Sequence, residues 1–148
     1  MSDYVCNIIL VDDDEDDRML FCEALDELVI KANLLLFKNG QELIDYLFQA
    51  DIVFPDLIFL DVNMPIKNGM ECLQDIRNHP KLKDIRIAMY STSKADKDIN
   101  ESFSNGASIY VNKPNSYTVL KKTLEKIIQF NWQSHIEHLS KDTFLFRI

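Results

Sequence analysis

No Cys-x-x-Cys pair occurs anywhere in the chain. Cys6, Cys22 and Cys72 are odd in number and far apart, which argues against a disulfide framework and against a cysteine zinc site. A reducing cytoplasmic setting is the expectation. No apolar run approaches the roughly 20 residues of a membrane span. The first residues, MSDYVCNIIL, lack both a basic region and a small-residue cleavage site, so no secretory leader is expected. A dense Lys/Arg patch is missing too. The chain carries 16 basic against 24 acidic residues, a formal net charge of −8. Direct nucleic-acid binding draws its affinity from phosphate contacts and needs a basic face. Lys121-Lys122 reads as the wet face of a helix, so the expected partner is a protein.

What is present suits one domain. The 148 residues are 47% apolar, enough to build a core. Short apolar runs alternate with stretches of helical spacing. Val5 to Val11 has strand length. Glu15 to Ile30 has helical spacing, with Met19, Leu20, Ala24, Leu28 and Val29 expected on one inward face. Asn33 to Phe37 reads as a strand ended by Asn39-Gly40, and Gln41 to Ala50 as a helix turning Leu43, Ile44, Leu47 and Phe48 inward. Pro55 to Asp61 is nearly continuous in apolar residues, as strands buried on both faces are. The alternation continues with a helix over Met70–Asn78, a strand in DIRIAMYS, and a helix over Ala95–Asn105 stopped by Gly106. A strand in ASIYVNKP follows, and then a helix capped by Ser116 that runs to about Asn131 with Val119, Leu120, Leu124, Ile127 and Ile128 inward. Five βα units in succession give an α/β class: a doubly wound, five-stranded parallel sheet with helices on both faces.

In such sheets, sites form beyond the carboxyl ends of the strands. The run VDDDEDDR places Asp12 and Asp13 at the end of the first strand. Asp61 ends the third, Ser91 follows the fourth and Lys113 ends the fifth. Three carboxylates grouped together call for a cation, and an oxygen-only set suits Mg²⁺. Asp61 would then be a nucleophile that forms an acyl phosphate, with Lys113 and Ser91 meeting the phosphoryl oxygens.

These residues, with LIFLDVNMPIKNG around Asp61 and GASIYVNKP around Lys113, resemble the receiver domain of two-component response regulators. The likeness covers Asn7 to about Phe130. LDVNMP, HPKLKDI and YSTS are similar to the small stand-alone regulators paired with cyanobacterial phytochromes. The resemblance implies a flavodoxin-like strand order, 2-1-3-4-5. It implies phosphoryl transfer onto Asp61 from a sensor histidine kinase or phosphotransfer protein. It implies Mg²⁺ held by Asp13, Asp61 and the backbone carbonyl of Asn63, with Asp12 helping through water. Lys113 would pair with the phosphoryl group, Ser91 would bond it and move, and Tyr110 would be the switch aromatic that swings inward. The Lys113–Pro114 bond would be cis. Asp14 to Asp17 are left as a solvated first helical turn. Such a protein signals and is not an enzyme, and it passes its state to a downstream protein target.

Three rival readings fit the residues less well. A haloacid dehalogenase-type phosphatase would use Asp12-x-Asp14, but Asp16 stands where Thr or Val belongs. An EF-hand loop would lack its Gly. A pure interaction module would leave the complete residue set unexplained. Residues 1–131 read as the receiver domain and 132–148 as a tail too short for an output domain. His135 and His138 are expected to be exposed polar residues, and Trp132 a packing residue. TFLFRI is expected to pack on the domain's own surface, with a strand or anchor for a second copy, and hence a homodimer, as the alternative.

Overall fold

A computed structural model describes residues 5–130 and 132–147. The expected helix end at Asn131, the last residue of TFLFRI and Met1–Tyr4 lie outside them. The elements follow in the order β1 (Cys6–Val11), α1 (Glu15–Asp26), β2 (Ala32–Phe37), α2 (Gly40–Leu47), β3 (Leu57–Leu60) and α3 (Gly69–Arg77). Then come β4 (Ile87–Ser91), α4 (Asp96–Ser104), β5 (Ile109–Asn112), α5 (Tyr117–Ile128), α6 (Trp132–Glu137) and α7 (Lys141–Phe144). All five strands run parallel in the order β2-β1-β3-β4-β5.

The sheet separates two apolar layers because successive strand residues point to opposite faces. Ile9, Val11, Ile58, Leu60, Ile87 and Met89 face α2 and α3. Ile8, Leu10, Leu57, Phe59, Ala88 and Tyr90 face α1 and α5. Every residue of β3 and β4 is buried, as a central parallel strand requires.

Helix α1 differs from expectation in length and in phase. It stops at Asp26 and buries Phe21, Ala24 and Leu25, with Leu28 beyond its end packed on the same layer. Met19 and Leu20 are exposed, and Val29 is 99% exposed. The inward stripe is therefore Phe21, Ala24, Leu25 and Leu28, an i, i+3, i+4, i+7 series. Phe21 fixes the phase. Its ring packs edge-on against Phe59 at 5.0 Å and Tyr90 at 5.8 Å.

Smaller differences have local causes. Gly40 opens α2 rather than closing a strand, because the Asn39 side chain accepts a hydrogen bond from Glu42 N and caps the helix. Phe48 follows the end of α2 and is half exposed, edge-on to His79. Val119 is exposed on α5, while Leu120, Leu124 and Ile127 are buried and Ser116 caps the helix as expected. Gly106 sits just past α4 with φ of 91°, a conformation that suits glycine. No peptide bond among the described residues is cis, so Lys113–Pro114 is trans, the ordinarily favoured form.

The tail folds back on the domain. Trp132 is buried and donates from Nε1 to Ile127 O at 3.1 Å. Phe144 is buried among Phe103 and Tyr110. Leu145 forms a parallel bridge with Tyr110, and Phe146 N donates to Tyr110 O at 2.8 Å. Phe144, Leu145 and Phe146 of TFLFRI thus pack on their own domain at the free edge of β5. His135 is half-buried rather than exposed; its Nε2 lies 2.9 Å from Ser108 O and its ring stacks on Phe130.

Candidate functional site

Strand register brings the candidate residues together. Val11 lies opposite Leu60, so Asp12 and Asp61 emerge side by side from β1 and β3, and Asp61 N donates to Val11 O at 3.0 Å. Ser91 lies opposite Asn112, and Lys113 N donates to Ser91 O at 2.9 Å. Asp12, Asp61 and Ser91 are buried, while Asp13 is exposed at the mouth.

Local chemistry fixes the first loop. Asp14 caps α1 by accepting from Asp17 N at 3.0 Å. Asp14 N donates to Asp12 Oδ1 at 3.0 Å, and Arg18 Nη1 donates to Asp12 O at 2.7 Å. On the other side, Gly69 opens α3 directly against Asp61. A Cβ there would collide with Asp61 O, so only glycine permits this approach. Asn63 N makes a long hydrogen bond, 3.4 Å, to Asp61 Oδ1, and the Asn63 side chain is exposed.

One carboxylate oxygen from each of Asp12, Asp13 and Asp61 lies within 4.8 Å of the others. Against this group stands the ammonium of Lys113. Its Nζ lies 2.7 Å from Asp12 Oδ2, 2.9 Å from Asp17 Oδ2 and 3.3 Å from Asp61 Oδ2. The Asp12 contact is an ion pair; Oδ2 has no well-aligned hydrogen bond. The Tyr90 ring lies 5.5 Å from the same ammonium.

Burial and the neighbouring charges pull these groups in opposite directions. Burial pushes Asp61 up to about 6, although Lys113 pulls the other way. Burial raises Asp12 as well, against the pull of the Lys113 ion pair. Burial pulls Lys113 down, yet its contacts with Asp12 and Asp17 and the field of Asp61 hold it above the ordinary lysine range. One ammonium does not offset this many carboxylates. The donor set is all oxygen, two of its three carboxylates are buried, and its negative charge is in excess, so it fits a hard divalent cation.

Beyond the carboxylates, the Ser91 hydroxyl accepts from Ser93 N at 3.1 Å. Tyr110 is fully buried with its ring inward, and its hydroxyl donates to Ser93 O at 2.9 Å. Asn112 Nδ2 donates to the same carbonyl at 2.7 Å. The β4–α4 loop is thus tied to β5 through Ser93.

Among the residues left as a solvated turn, Asp14 is the cap and Glu15 and Asp16 are exposed. Asp17 is the correction, since it faces Lys113. The signal lay in the spacing. With Asp14 as the cap, Asp17 is the third helical residue, and helical side chains lean back toward the N-terminus, here over the strand ends. The exposed Asp16 and the strand preceding Asp12 are also not the arrangement of an EF-hand loop.

The model of the response regulator receiver domain matches residues 8–125. Response regulator Rcp1 of Synechocystis sp. is 31% identical over 127 residues, which is 83% of this chain and 86% of that protein. The phosphorylated cyanobacterial phytochrome response regulator RcpA superposes with a TM-score of 0.80 at 33% identity, over 88% of this chain and 96% of that one. The Mn(2+)-bound form of Rcp1 does so with a TM-score of 0.77 at 29% identity, over 91% and 97%. With that family match reaching from β1 into α5 and spanning the whole acidic pocket, the chain belongs to the response regulator receiver domain family.

Proposed function

We propose that this receiver accepts a phosphoryl group on Asp61 from the phosphohistidine of a sensor histidine kinase or phosphotransfer protein, and that the reaction depends on Mg²⁺. The observation that carries the proposal is the placement of Lys113 Nζ at 3.3 Å from the Asp61 carboxylate, inside a buried acidic pocket. RcpA is known as a phosphorylated protein and Rcp1 as a Mn(2+)-bound one, which supports both halves of the reading.

A carboxylate oxygen of Asp61 attacks phosphorus. The bond from phosphorus to the donor's imidazole nitrogen breaks, and its electron pair returns to that nitrogen. Asp12, Asp13, Asp61 and the Asn63 carbonyl would hold the Mg²⁺, which when bound offsets charge on the transferring group. Lys113 neutralises a phosphoryl oxygen. The Ser91 hydroxyl leaves Ser93 N and donates to another. Because Ser93 O is held by Tyr110 and Asn112, movement of Ser91 is felt in β5. Ser91 and Tyr110 are the switch in this reading.

The protein is then a cytoplasmic signalling protein rather than an enzyme. It carries a receiver domain over 1–131 with a tail over 132–148, and it acts on a downstream protein without direct contact to nucleic acid or membrane. No described helix is long and apolar enough to cross a membrane. Intact mass measurement after exposure to acetyl phosphate, with and without Mg²⁺, tests the chemistry. A Mg²⁺-dependent phosphoryl adduct mapping to Asp61 is expected. An adduct on Asp12 would favour the phosphatase chemistry instead, and a fully labelled Asp61→Asn variant would refute the assignment.

A further inference from the structure

Lys113 has a third carboxylate partner that lies outside the group able to hold a cation. Asp17 Oδ2 is 2.9 Å from Nζ, closer than Asp61 Oδ2 at 3.3 Å. The Asp17 carboxylate does not cap α1, because Asp14 does that. The Lys113 side chain is 10% exposed and Asp17 34% exposed, so the pair sits at the lip of the pocket, partly shielded from water. Asp12 and Asp61 belong both to the Lys113 cluster and to the metal-fitting group, whereas Asp17 belongs to the first alone.

We infer that Asp17 is a positioning residue that holds the Lys113 ammonium over Asp61 for the incoming phosphoryl group. The inference rests on the receiver reading above. A cation drawing on Asp12 and Asp61 would compete with Lys113 for their oxygens. Asp17 is then the one carboxylate of the three that has no other claim on it. It keeps the ammonium from following Asp12 and leaves it a free donor toward a phosphoryl oxygen.

The sign of the effect separates this from simple charge. Asp17 adds negative charge beside a site that must receive an anion. If it acted only through that field, Asp17→Asn would tighten anion binding. If it positions Lys113, Asp17→Asn weakens it.

The test uses the full chain, the variants Asp17→Asn and Asp17→Glu, and beryllofluoride with Mg²⁺ as the phosphoryl probe, measured by calorimetry. A second readout needs no ligand: the ¹⁵N signal of the Lys113 ammonium in the resting protein, visible only while ion pairing slows its hydrogen exchange. Asp17→Asn is expected to bind beryllofluoride about fivefold or more weakly, with Mg²⁺ affinity within about twofold of wild type. It should lose the ammonium signal, and Asp17→Glu should recover part of both. Equal or tighter beryllofluoride binding by Asp17→Asn overturns the inference, as does a parallel loss of Mg²⁺ and beryllofluoride affinity. If wild type takes no beryllofluoride, the receiver reading fails, and the ammonium signal alone decides the role of Asp17. Its loss in Asp17→Asn supports the positioning role, and its persistence there, or its absence from wild type, overturns it.

Discussion

The Phe144 ring, from the last helix of the chain, lies 6.3 Å from the ring of Tyr110 in the central sheet. Both side chains are shut off from water, and Phe103 of α4 meets Phe144 edge-on at 5.2 Å. The tail is therefore part of the core beside the candidate switch.

Phe144→Ala should cost about 3–5 kcal/mol, the range for emptying a buried aromatic site that cannot fully collapse. Urea denaturation checks this, with the slope unchanged if only the cavity matters. A loss under about 1 kcal/mol would mean that the tail is only loosely docked.

The corrected face of α1 gives a paired prediction. Val29 is almost fully solvated, so Val29→Lys should change stability by less than about 0.5 kcal/mol. Leu25 is buried on the Phe21 stripe, and Leu25→Ala should cost about 2–4 kcal/mol. The reverse order in thermal melts would restore the phase read from the helical spacing of the sequence.

That pair marks where the sequence was legible. The parallel α/β class and the convergence of Asp12, Asp61, Ser91 and Lys113 followed from alternation and from strand ends, both of which are local patterns, whereas the strand order came from the resemblance to receiver domains. The phase of α1 did not, because Met19, Leu20 and Val29 are as apolar as the residues actually buried. It took the fit of one ring, Phe21, against Phe59 and Tyr90 to choose between faces. Asp17 was hidden in a run of like charges, where only the identity of the cap tells which carboxylate turns inward. The place of Phe144 depended on a contact between residues 34 apart in sequence, Phe144 and Tyr110, which no periodicity encodes.

Asp61→Asn should make the metal-free protein more stable at neutral pH. The folded protein holds the Asp61 proton up to about 6, above the ordinary carboxylate value near 3.8. A raised carboxylate pKa favours the folded state below about pH 4 and loses that advantage as pH rises through about 6. Asparagine stays neutral throughout. The gain should be on the order of 1–3 kcal/mol at pH 7 in chelator, since about 1.4 kcal/mol attends each pKa unit and the value of about 6 already includes the pull of Lys113. It should shrink toward zero near pH 4. Denaturation curves of both proteins across this range decide it, and a variant that is less stable at pH 7 would contradict the reading of Asp61 as a strained buried charge.

Metal addition should discriminate among neighbouring carboxylates. Asp13 offers an oxygen to the group shared with Asp12 and Asp61, whereas Asp16 is exposed on the first turn of α1 and faces none of them. A ligand that binds only the folded state stabilises it by about 2.7 kcal/mol at a hundredfold excess over its dissociation constant. Mg²⁺ should therefore raise the melting temperature of wild type and of Asp16→Ala alike. It should raise that of Asp13→Ala far less. Both variants remove one negative charge from the same short run, so a general field effect would weaken binding equally in the two. An equal loss would place the cation in the diffuse charge of VDDDEDDR, whereas a loss confined to Asp13→Ala would place it at the strand ends.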